Sequence, residues 1–251
     1  MKTIIRTISM RRIVTATLCL SAALCSCSHY YYVSNVQNVP LFKDKNEYRI
    51  SGSIGEGDES SSVEVQTAVS VTENVAIMAN FMRATGGDLK STNYGKGNYF
   101  EGALGYFKPV KKNGVFEIFG GVGGCEQHHE YAGYGNGQYY DISDISFWKF
   151  FVQPSFGFTS NVIDIAFSTR FCGLNYYNVS SVSNSHENMN TLSNGSHFFL
   201  EPAITLRVGW KHIKGQLQYV YSGYLNNTKL NFYEYTHISM GISFALGSKN
   251  K

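Results

Sequence analysis

From Glu47 to Leu246 the apolar residues recur at every second position, not at every third and fourth, and that period decides what the chain can become. A helical bundle is excluded, because residues two apart share a face only on a strand. At this period ten strand candidates stand out, over residues 47–55, 62–72, 75–84, 97–108, 114–127, 145–160, 162–178, 196–211, 213–223 and 235–247. The composition agrees: 25 Gly, 18 Tyr and 17 Phe against 4 Pro suit strands broken by frequent turns.

The links between candidates alternate in length. "TEN", "PVKKN", Asn161 and His212 are short, whereas "GDESSS", "TGGDLKSTNYGK", "HHEYAGYGNGQYYD", "SSVSNSHENMNTLSNG" and "YLNNTKLNFYEY" are longer and polar. Short turns on one side and longer loops on the other are the pattern of an all-β, antiparallel up-and-down transmembrane β-barrel. The even strand count puts both ends of the barrel segment, 47–247, on the short-turn side. In an outer membrane that side is periplasmic, and both chain ends are expected there, with 248–251 as an overhang.

Sorting the strands by face gives the orientation. One face of 196–211 reads Phe198, Leu200, Pro202, Ile204, Leu206, Val208, Trp210; the other reads His197, Phe199, Glu201, Ala203, Thr205, Arg207, Gly209, Lys211. Residues 145–160 repeat this, with Trp148, Phe150, Val152, Pro154, Phe156 and Phe158 against Lys149, Phe151, Gln153, Ser155, Gly157 and Thr159. The apolar faces are long enough for the ~25 Å lipid-facing band of such barrels. Charges mixed with small residues suit the interior. There Glu47, Glu64, Glu101, Glu117, Asp164 and Glu201 balance Arg49, Lys149, Arg170, Arg207, Lys211 and Lys214. Balanced charges can neutralise one another, which predicts a lumen network of Glu101, Glu117, Lys149, Asp164, Arg170, Glu201 and Arg207 in a narrow or plugged barrel. A soluble ligand-binding barrel, turned inside out, is the alternative.

The first residues carry Lys2, Arg6, Arg11 and Arg12 and no acid, followed by an apolar run from Ile13 to Leu24. That run falls short of the ~20 residues needed to span a bilayer, and it reads as the apolar region of a cleaved signal. Leu24-Cys25-Ser26-Cys27 resembles a bacterial lipobox: Leu24 three before the acceptor and small Ser26 just before it. The resemblance implies a signal peptide over 1–26, cleavage after Ser26 and lipidation of Cys27, with palmitate-type acyl chains. Residues 27–46 are then expected to form a lipid-anchored periplasmic tether, with Tyr30-Tyr31-Tyr32 at the membrane interface. Removing 1–26 takes four of 21 bases and none of 18 acids, so the formal charge goes from +3 to −1. No basic patch for nucleic acid survives.

The last candidate, "SMGISFAL", resembles the assembly signal of outer-membrane barrels in Ser239, Gly241, Phe244 and Leu246. With the lipobox, the alternation and "NVPLF" leading into "EYRISGSIG", the chain from Cys27 onward resembles small lipidated outer-membrane barrels of Bacteroidetes-type bacteria. The resemblance implies a barrel fold and an outer-membrane address, with outer-membrane lipid and the barrel-assembly and lipoprotein-export machineries as partners. It supplies no activity and no external ligand.

Few residues point to chemistry, and no catalytic residue or cofactor is expected. "GGVGG", Gly120 to Gly124, has neither nucleotide fingerprint and reads as strand glycine for close approach. Cys125, His128 and His129 are weak metal candidates that would need ligands such as His186, Glu187 or His197. Cys125 and Cys172 are expected to be unbridged, since one strand separates them. Three functions remain: a non-enzymatic envelope or surface protein presenting polar loops, a lipid-modifying or hydrolytic enzyme with a rim site near His128 and His129, or a narrow small-solute pore.

Overall fold

A computed structural model describes residues 30–88, 93–132, 140–181, 192–227 and 232–247. The strands are β1 (Tyr48–Glu56), β2 (Ser60–Ser70), β3 (Val75–Asp88), β4 (Asn93–Val110), β5 (Gly114–Ala132), β6 (Tyr140–Thr159), β7 (Ile163–Ser181), β8 (Ser196–Gly209), β9 (Ile213–Tyr221), β10 (Gly223–Tyr224) and β11 (Thr236–Leu246). Each pairs antiparallel with its neighbours, and β11 closes on β1 with Tyr48 opposite Leu246 and Glu56 opposite Ile238. Ten strands form the closed wall. The two-residue β10 continues the edge of β8 beyond the end of its pairing with β9. Closure leaves the sheet without a free edge.

The expected faces are the observed ones. On β8 exposed and buried residues alternate almost without a break, with Phe198, Leu200, Ile204, Leu206 and Val208 outside. Trp148, Phe150, Phe156, Phe167 and Phe171 continue this apolar exterior around β6 and β7, and Ile242, Phe244, Ile50 and Ile54 carry it across the β11–β1 seam. An apolar surface of this extent is one that lipid covers. The barrel is a transmembrane one.

The short turns are set by local chemistry. The hydroxyl of Ser160 accepts from the amides of Val162 and Ile163, and Thr72 does the same for Asn74 and Val75. Side-chain acceptors of this kind favour turns over continued ladder. The strands run further on the long-loop side than the sequence indicated. Residues 85–88, 93–96, 128–132 and 140–144 are all strand, although they stand in stretches read as loops. Beyond the apolar band both strand faces are polar, and the period-two signal disappears while the backbone ladder continues.

Two glycine sites show how the wall is packed. Gly121 and Gly123 of "GGVGG" face inward, where an added Cβ would meet the Phe151 ring and the Glu101 side chain. They mark close approach. At Gly241 a Cβ would lie 2.1 Å from the Gly52 carbonyl oxygen across the closing seam. Gly241→Val is therefore expected to prevent closure, seen as loss of the fast-migrating unboiled form on detergent gels, whereas Ile242→Val on the lipid side leaves that form intact.

Candidate functional site: a strap in the barrel lumen

The lumen is occupied by the chain itself. Every residue from Tyr31 to Phe42 is buried. At the long-loop end the Tyr31 and Tyr32 amides donate to the Phe232 carbonyl at 2.7 and 3.1 Å, and Tyr32 makes a parallel bridge to Tyr233. At the short-turn end Lys43 Nζ donates to the carbonyls of Lys112 and Thr159. The segment thus threads the barrel from the loop mouth to the turn mouth before β1 starts back. This corrects two expectations. Residues 31–42 are a strap through the lumen and not a periplasmic tether, so Tyr31 and Tyr32 pack inside and not at a membrane interface. And the ends of the described chain, Tyr30 and Gly247, lie at opposite rims, not both on the short-turn side.

An extended chain inside a barrel has no neighbouring strand, so its backbone groups need side-chain partners. The wall supplies them. Val36 N–H donates to Glu64 Oε2 (2.8 Å) and its carbonyl accepts from Gln66 (2.7 Å). Gln37 N–H donates to Gln218 Oε1 (2.6 Å), and Gln218 Nε2 returns a bond to the Gln37 carbonyl (2.9 Å). The Asn38 carbonyl accepts from Gln153 and the Pro40 carbonyl from Arg49. Phe42 N–H donates to Glu117 Oε1 (3.1 Å). Leu41 sits in the left-handed region (φ 57°), a conformation costing roughly 1–2 kcal/mol, and its side chain is buried among Val39, Val115 and Ala166.

The charges form two groups along the strap. In the middle, Lys149 Nζ lies 3.1 Å from Glu101 and 3.8 Å from Glu201, and Arg170 lies 3.4 Å from Glu101. Asn35 is enclosed by this group: its Oδ1 accepts from Arg170 (2.7 Å) and Lys149 (3.1 Å), and its Nδ2 donates to Glu101 (2.8 Å). The Tyr32 hydroxyl donates to Glu201. Towards the turns, Asp164 pairs with Arg49 and Lys214. Buried Arg207 is bonded to Gln216 (2.7 Å), and Glu117 holds the strap. All seven residues expected in the lumen network are buried there. Glu47 and Lys211 are not; both are partly exposed at the short-turn rim. Above the middle group, Tyr32, Phe147, Tyr176, His197, Phe199 and Phe232 close the lumen with edge-on and tilted ring contacts.

The histidine pair does not form one site. His128 and His129 are adjacent on β5 and point to opposite faces. His129 is buried, 5.2 Å edge-on from the Tyr31 ring. His128 is outside, its Nδ1 2.7 Å from Asp144 and its Nε2 3.1 Å from Glu130, which also accepts from Tyr94 (2.6 Å). Cys125 faces inward with His129, and among the described residues no group of three His, Cys, Asp or Glu side chains is arranged to hold a metal ion. The weak metal candidates therefore separate for a plain reason: neighbours on a strand face opposite ways. His186 and Glu187 lie outside the described residues, as do Leu24, Ser26 and Cys27. Cys125 and Cys172 are free thiols. Of the assembly-signal residues on β11, Ser239 and Gly241 face the lumen, and Phe244 and Leu246 face outward.

His128 lies beyond the apolar band, which ends on β5 at Val122. Its hydrogen bonds to Asp144 and then to Glu130 raise its pKa from 6.5. A raised folded-state pKa gives stabilisation that is complete below the unfolded value and lost as pH rises through the folded one. Amides near residues 128–130 are thus expected to exchange more slowly at about pH 5.5 than at about pH 8.5 after correction for intrinsic rates, and His128→Gln removes the difference.

No protein-family model matches the chain, and no curated protein does. Solved structures similar to it include the outer membrane protease OmpT from Escherichia coli, at 10% identity over 85% of this chain and 99% of that one, TM-score 0.48. The translocator domain of the autotransporter NalP from Neisseria meningitidis is 13% identical over 79% and 86%, TM-score 0.43. The KdgM porin is 8% identical over 79% and 99%, TM-score 0.40. None of these three activities transfers to this chain at such identities.

Proposed function

We propose that this chain is an outer-membrane lipoprotein, lipidated at Cys27, that acts as a closed surface platform: a non-enzymatic barrel presenting polar loops to the outside. The observation that carries this reading is the strap. A lumen filled from Tyr31 to Phe42, with Lys149 and Arg170 paired to Glu101 and its aromatic end packed, has a transport path only if the strap leaves. The apolar exterior supports placement in a membrane, and the Leu24–Cys27 lipobox supports the acyl anchor. Each buried CH₂ adds about 0.8 kcal/mol of anchoring, so more than one acyl chain holds stably. Outer-membrane lipid is the direct partner, and the barrel-assembly and lipoprotein-export machineries are the transient ones. The narrow-pore reading is disfavoured by the strap, and the rim-enzyme reading by the opposite orientations of His128 and His129.

Purified full-length protein in planar bilayers tests this reading. Silent membranes, from a preparation that migrates faster unboiled than boiled, are expected. Steady open conductance from the same preparation contradicts it.

A further inference from the structure

The direction of the strap fixes which face of the membrane the amino terminus reaches, and this inference rests on the lipoprotein reading above. Tyr30 lies at the long-loop mouth, where the next two amides bond to Phe232 between β10 and β11. Phe42 and Lys43 lie at the short-turn mouth, against Glu117, Lys112 and Thr159. Cys27 is three residues before Tyr30. Three residues span at most roughly 11 Å. That is well under the ~25 Å apolar band, so the chain cannot return to the opposite leaflet over that length.

We infer that the amino terminus leaves through the long-loop mouth, so that acyl chains carried by Cys27 enter the leaflet on the loop side. In an outer membrane with loops outside, this is the outer leaflet, the reverse of a periplasmic anchor. The ten strands return the carboxyl terminus to the turn side, and the strap adds one further crossing, which splits the two ends. It also sets an order of assembly. The acylated amino terminus and residues 31–42 must be in place when β11 pairs with β1, because the closed wall has no gap through which an anchored strap could enter afterwards.

The test is cysteine labelling of intact cells with a bulky, membrane-impermeant maleimide, in the full chain. Cys125 and Cys172 are buried and give a silent background. Three substitutions report position: His29→Cys for the amino terminus, Asn227→Cys for an exposed loop and Glu73→Cys for an exposed short turn. Each is first shown to retain the fast unboiled band. His29→Cys and Asn227→Cys are expected to label on intact cells, and Glu73→Cys only after permeabilisation. Joining Tyr30 directly to Lys43 should move His29→Cys into the permeabilisation-dependent class. Labelling of Asn227→Cys but not His29→Cys on intact cells overturns the inference and leaves the platform reading standing. Labelling of Glu73→Cys but not Asn227→Cys on intact cells reverses the orientation, and both fall together.

Discussion

Deleting residues 31–42 is expected to turn a silent barrel into a conducting one. The wall does not need the strap for its backbone: the ten-strand ladder closes through β1 and β11. Nor does it lose all charge compensation, since Lys149, Arg170, Glu101 and Glu201 come from four different wall strands and stay within reach of one another. What goes is the filling. Gln66, Gln153 and Gln218 lose their backbone partners and turn to water, and the lumen becomes a polar path. Seven buried apolar strap residues (Tyr31, Tyr32, Val33, Val36, Val39, Leu41 and Phe42) also go, at roughly 1.5–3 kcal/mol for each of the larger side chains, so the deleted chain should unfold at lower temperature. Planar-bilayer recordings check the first effect and heating series on detergent gels the second. A deleted chain that keeps its fast unboiled band yet stays silent would contradict this expectation and show that inward wall side chains such as Phe119, Phe147, Phe151 and Phe199 seal the lumen by themselves.

Arg170→Ala is expected to be the most damaging single substitution in the lumen. The guanidinium is fully buried, donates to Asn35 and twice to Gln153, lies 3.4 Å from Glu101 and stacks 4.6 Å above the Phe151 ring. Removing one partner of a buried pair leaves the other charge uncompensated, a loss of about 3–5 kcal/mol. The fast unboiled band should disappear at a temperature lower by on the order of 10 °C. Arg170→Lys recovers only part, because an ammonium cannot reproduce the planar fork on Gln153. The double variant Arg170→Met, Glu201→Gln should lose less than the sum of its single changes, since each removes a charge the other no longer needs. Full additivity would mean that Arg170 and Glu201 do not act on one another.

The barrel was legible wherever lipid and lumen impose opposite demands on alternate residues. Along β6 and β8 every outward residue from Trp148 to Phe158 and from Phe198 to Val208 could be assigned from period two alone. The lumen charges followed from the same alternation, because a residue that is not outward on a closed strand has only one other place to go. The strap was not legible as structure, since residues 28–46 have no period and the partners of residues 31–42 are spread over the nine strands β1 to β9. Its composition did carry a signal. From Tyr30 to Phe42 there is no charged residue, only Tyr, Val, Asn, Gln, Ser, Pro, Leu and Phe. A solvated tether is ordinarily richer in charge. Inward-facing Gln66, Gln153 and Gln218 were the complement, amides that bond the extended backbone of the strap. His128 and His129 could have been separated in advance by the alternation that sorted the rest of β5.

Hydrogen–deuterium exchange of the strap in the intact, membrane-embedded protein tests the central claim most directly. The Val36, Gln37 and Phe42 amides are buried and donate to Glu64, Gln218 and Glu117. Peptides covering 31–42 should therefore be protected to the same degree as the β6 and β7 walls, and should lose that protection when the barrel is boiled open. Exchange of 31–42 at the rate of an unstructured chain, beside fully protected walls, would contradict a threaded strap and return the segment to a tether outside the barrel.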